Sequence, residues 1–63
     1  MTKPLNRDGF GAAKTAYREQ IDFGNPPRAA LDLATIVFQQ RNPTVPVDEA
    51  RELIAEALGV AIA

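Results

Sequence analysis

Proline placement constrains this chain more than any other feature. Pro26 and Pro27 follow Gly24-Asn25, and Pro43 and Pro46 enclose Thr44-Val45. A proline inside a helix removes a backbone hydrogen bond and strikes the preceding turn, and in a central strand it removes a ladder bond. These four prolines therefore divide the sequence into three uninterrupted pieces, each with apolar residues at helical spacing. We expect an all-α fold, a compact three-helix domain with helices over about residues 8–23, 26–41 and 46–58.

The first helix is expected to start at Asp8, whose carboxylate can accept hydrogen bonds from the free NH groups of the opening turn. It should end before Gly24, which tolerates a left-handed cap. Phe10, Ala13, Tyr17 and Ile21 fall within about 80° of one another, a narrow apolar stripe opposite Thr15, Arg18, Glu19 and Asp22. Gly9 and Gly11 each weaken this start by about 1 kcal/mol relative to alanine. In the third helix, Val47, Ala50, Leu53, Ile54, Ala57, Leu58 and Ala61 form one face and Asp48, Glu49, Glu52 and Glu56 another. Gly59 either stops it or lets Val60 to Ala63 extend it.

The middle piece is the most apolar. Asn25 suits its N-cap, Pro26 suits the first helical position, and Pro43 disfavours helical geometry at Asn42. Arg28, Asp32, Thr35 and Gln39 occupy an arc of about 60°, whereas the apolar residues from Ala29 to Phe38 spread over about 220°. A helix abutting one neighbour needs a stripe of only about 100°, so this one should be covered on at least two sides. Thr35-Ile36-Val37-Phe38 is also a strand-like run. The apolar pattern nevertheless reaches back through Leu33, Ala30 and Ala29 at helical spacing, which is too long for a buried strand.

With 63 residues there is room for one domain, expected over residues 8–63 behind a flexible arm of residues 1–7. A chain this short buries only roughly 60% of its unfolded surface. It has no Cys and no His, so neither a disulfide nor an ordinary zinc site can brace it. Helix packing or homo-oligomerisation must do so. The N-terminal stretch MTKPLNRDGFG has no apolar core of signal-peptide type, and no run approaches the roughly 18 apolar residues that span a bilayer, so no membrane partner and a cytoplasmic location are expected.

Absent residue types also bound the chemistry. Without His, Cys or Ser, no ordinary catalytic triad or thiol nucleophile can be assembled, and a small helical domain has little room for a concave pocket. We therefore expect no enzyme, no catalytic residue, no cofactor, no bound metal and no small-molecule substrate. Gly9-Phe10-Gly11-Ala12-Ala13-Lys14-Thr15 carries some residues of a phosphate-binding loop. However, Ala13 stands where the second required glycine should be and Asp8 where the first should be, and no strand precedes them. The segment is read as a glycine-relaxed helix start.

Charge is unevenly spread. Residues 1–41 carry six cations against four anions, and residues 42–63 carry Arg51 against Asp48, Glu49, Glu52 and Glu56. The acidic face is read first as a solvated surface and second as a docking face for a basic partner. Metal binding ranks last, because calcium sites draw their ligands from loops. Lys3, Arg7, Lys14 and Arg18 raise a nucleic-acid alternative, a small dimeric regulator. The net charge of -1 disfavours it, and Tyr17 falls on the core stripe rather than on an outward stacking platform. A membrane-surface helix is disfavoured too, since only Arg28 is a cation on the polar strip of the middle helix.

The expectation is a small non-catalytic interaction module: an adaptor, an inhibitor or a self-associating accessory protein whose partner is another protein or a second copy. Leu33, Ile36 and Val37 are assigned to the internal core. Leu31, Ala34 and Phe38, with Val60 and Ile62, are assigned to the partner surface, with Asp48, Glu49, Glu52 and Glu56 as the electrostatic alternative.

Overall fold

A computed structural model describes residues 7–60 of the chain, which form three α-helices: α1 (Arg7–Asp22), α2 (Pro27–Arg41) and α3 (Val47–Leu58). The three-helix domain read from the proline spacing is the observed one. The arm expected over residues 1–7 lies outside the described residues, except that Arg7 already opens α1.

Each boundary has a local cause. Pro26 is extended, with φ -66° and ψ 151°, and serves as N-cap, so α2 starts one residue later than expected. The reason is Pro27, whose ring disfavours helical geometry in the residue before it. Pro46 plays the same part for α3, with φ -60° and ψ 152°. The carbonyls of Pro26 and Pro46 accept the first helical bonds, from the NH of Ala30 at 3.0 Å and of Ala50 at 2.8 Å.

Two helices end on left-handed glycines, Gly24 at φ 90° and Gly59 at φ 73°. The Gly24 NH donates to the Ile21 carbonyl at 2.9 Å and the Asn25 NH to that of Gln20 at 3.0 Å. The same pair recurs after α3, with Gly59 NH on the Glu56 carbonyl at 3.2 Å and Val60 NH on that of Ala55 at 3.0 Å. Both are Schellman closures, which satisfy carbonyls that the helix end would otherwise leave bare. Gly59 thus stops α3.

The first two helices form an antiparallel hairpin, with the start of α1 against the end of α2. Phe10 and Phe38 meet there at a ring separation of 4.8 Å and a tilt of 57°. Gly9 is buried at the same end, and a β-carbon on it would fall 2.6 Å from Asn42 Nδ2, 3.2 Å from Phe38 Cδ1 and 3.3 Å from the Arg41 β-carbon. What looked like a weak helix start is therefore a packing requirement. Gly11, by contrast, has nothing within 4 Å of a built β-carbon.

Asn42 is the corner of the α2–α3 turn and is itself buried. Its backbone NH donates to the Phe38 carbonyl at 3.0 Å, its carbonyl accepts from Val45 NH at 3.1 Å, and its side-chain Nδ2 donates to the Phe38 carbonyl at 3.4 Å. Gln39 Nε2 reaches across the turn to the Val45 carbonyl at 3.3 Å. Farther along, Arg51 of α3 pairs with Asp32 of α2 at 2.6 Å.

Among the described residues the buried apolar ones are Ala13, Ala30, Leu31, Ala34, Phe38, Ala50, Ile54 and Ala55. Five of these eight are alanine, so the helices approach closely over small side chains, with Phe38 and Ile54 as the bulky inserts. Phe10, Tyr17, Val45, Leu53, Leu58 and Val60 pack partly buried around this centre.

The core face of α2 is the reverse of the one expected. Leu31 is 5% exposed and Ala34 and Phe38 are fully buried, whereas Ile36 is 52% exposed and Leu33 and Val37 are half-buried. Leu31, Ala34 and Phe38 are thus internal and not available to a partner. Thr35 accounts for much of the reversal. Its side chain was counted with the polar strip, but it is buried, and its Oγ1 donates to the Leu31 carbonyl at 2.8 Å. A hydroxyl satisfied within its own helix can face the core. The buried arc is therefore rotated toward Thr35 and away from Leu33 and Ile36.

Candidate interaction surfaces

Three surfaces of the described residues offer something to a partner. The first is the outward face of α2. Ala29 and Ile36 are exposed, Leu33 and Val37 are half-buried, and Gln40 is exposed. Ala29, Leu33, Ile36 and Gln40 follow one another at steps of four, three and four residues, the alternation of a coiled-coil seam. Exposed apolar residues scattered singly are ordinary, as Val47 is at the start of α3, but residues aligned on one helix face form a strip. Its spacing was legible in the sequence, although Leu33 and Ile36 were assigned to the interior.

The second surface is the acidic side of α3. Asp48, Glu49, Glu52 and Glu56 are all exposed, and none forms an ion pair with another described residue. The carboxylates are spread along the helix, and no three acidic side chains of the described residues group closely enough to hold a metal ion. Arg51 leaves this side of the helix to meet Asp32.

The third surface is a groove of about 370 Å³ between α1 and the end of α3, lined by Lys14, Tyr17, Arg18, Ile21, Ala57 and Leu58. Its composition mixes cations with apolar walls. Lys14 and Arg18 are exposed, and neither pairs with a carboxylate among the described residues. Tyr17 and Leu58 are half-buried, with one side on the core, and Ile21 is 38% exposed. Sequence reading linked Lys14, Tyr17 and Arg18 but had no means of adding Ala57 and Leu58, which only the packing of α3 brings alongside. A wider depression of about 480 Å³ lies at the end of α1, lined by Glu19, Asp22 and Phe23, where Phe23 is 81% exposed.

The remaining expected site residues divide in two. Val60 is half-buried and packs onto the core, so it completes the domain rather than leading away from it. Ile62 lies outside the described residues, as does Lys3. No described helix is long and apolar enough to cross a membrane. No family model, no curated protein and no solved structure matches the chain.

Proposed function

We propose that this chain is a small non-catalytic protein interaction module that self-associates through the outward face of α2. The observation that supports the reading is the seam of Ala29, Leu33, Ile36 and Gln40, in which Ile36 is 52% exposed and Leu33 half-buried on one face of the helix. Among possible occupants a second copy fits best, because the seam is nearly self-complementary. Antiparallel pairing about the middle of the helix sets Leu33 of one copy against Ile36 of the other, and Ala29 against Gln40. Like flanks then meet, and Arg28 comes alongside Gln39 rather than another cation. The strip is short and includes a glutamine, so the association should be weak and concentration-dependent. A small domain braced without cysteine also fits a cytoplasmic setting, since small secreted domains usually rely on disulfides.

Sedimentation equilibrium over a wide concentration range, with helicity followed by circular dichroism, tests this. The wild type should populate a dimer as concentration rises, and Leu33→Glu and Ile36→Glu should each keep it monomeric with helicity unchanged. A wild type that stays monomeric throughout, or a dimer indifferent to both substitutions, removes the reading.

A further inference from the structure

We infer that the groove between α1 and α3 is a second, independent docking site, and that it takes an acidic, apolar-faced helix of a partner protein. This goes beyond the self-association just described, since it uses none of the α2 seam residues. The argument starts from charge. Lys14 and Arg18 stand one helical turn apart on one rim of the groove, both exposed and both without an ion-pair partner among the described residues. Among the described residues the lining includes no carboxylate. A chain with more acidic than basic residues therefore presents a locally cationic edge, which steers and orients an anionic partner.

The floor specifies the rest of the partner. Tyr17, Ile21, Ala57 and Leu58 are side chains that bind by apolar burial, and Tyr17 adds a phenolic hydroxyl that can bond a carboxylate. From Lys14 to Ile21 is seven residues, so the groove runs about 10 Å along α1 at 1.5 Å per residue, roughly two turns of a guest helix. A guest with leucines at i and i+4 on one face and glutamates beside them would place the leucines on Ile21 and Leu58 and the carboxylates on Lys14 and Arg18. Ala57 is small and exposed, leaving the α3 wall low enough for a backbone to approach.

Fluorescence anisotropy with two labelled helical peptides provides the test. One carries Leu at i and i+4 flanked by Glu, and the other has every Glu replaced by Gln. The full chain bearing Ile36→Glu is used beside the wild type, so that loss of the α2 seam cannot be mistaken for loss of the groove. Both should bind the Glu peptide and discriminate against the Gln peptide. The double variant Lys14→Ala with Arg18→Ala should weaken binding by about tenfold, the combined effect of two exposed charge pairs. Ala57→Glu should weaken binding and Ala57→Lys should tighten it, a sign change that altered folding alone does not produce. Equal affinity for the two peptides, indifference to the double variant, or no binding at about millimolar peptide each overturns the proposal. So does displacement of the peptide by a labelled oligothymidylate at lower concentration, which would make the groove a single-strand nucleic-acid site instead.

Discussion

Gly9 and Gly11 stand two residues apart on α1 and should respond in opposite directions to the same added methyl group. Neither has positive φ, so alanine is allowed at both by the backbone. At Gly11 the new β-carbon meets nothing, and Gly11→Ala should stabilise the domain by about 1 kcal/mol through helix propensity. At Gly9 it would sit 2.6 Å from the Asn42 amide and tight against Phe38, both buried, so the Asn42 side chain must move aside and Phe38 must give way by a few tenths of an ångström. Overpacking of this kind costs about 1–3 kcal/mol, which exceeds the propensity gain, and Gly9→Ala should destabilise. Urea denaturation of the two variants side by side checks the opposite signs. Sequence pattern alone treats the two glycines as equivalent, because what separates them is a residue more than thirty positions away.

At the level of elements, the existence and limits of α1, α2 and α3 were readable because proline and glycine act locally. Pro27 decides where α2 starts through its own ring, and Gly24 and Gly59 close helices through their own backbone freedom. The inward face of α2 was not readable. An apolar arc of about 220° contains more than one possible core stripe, and polarity ranked Thr35 as outward when its hydroxyl had a partner within the helix. The groove was half legible: its cations and Tyr17 lie on one element, and its other wall depends on tertiary packing. A helix closure can be tested by substitution. Gly59→Ala places a β-carbon at φ 73° and should cost about 1 kcal/mol. The Val60 amide, held at 3.0 Å on the Ala55 carbonyl, should then exchange with solvent hydrogen faster than in the wild type, while amides in the middle of α3 change little.

For the molecule as a whole, 63 residues imply a total stability of roughly 3–9 kcal/mol at the usual per-residue scale. Phe38 is fully buried, touches Phe10 and lies beneath Gly9. Truncating such a residue costs about 3–5 kcal/mol, a large share of that total. Phe38→Ala should therefore lose about half or more of its stability, seen as a much lower thermal midpoint by far-ultraviolet circular dichroism. Ile36→Ala, at a position half open to water, should keep its helicity. The contrast separates the two sides of α2 by stability, independently of any partner.

An interior built mostly of alanine also bears on how the domain could carry a signal. Alanine has no side-chain rotamer to change, so this centre has few alternative packings among which a bound partner could choose. Occupation of one surface can then be felt at another only through rigid displacement of whole helices or through charge. The α2 seam and the α1–α3 groove should accordingly fill without cooperativity, each partner binding with the same affinity whether or not the other is present.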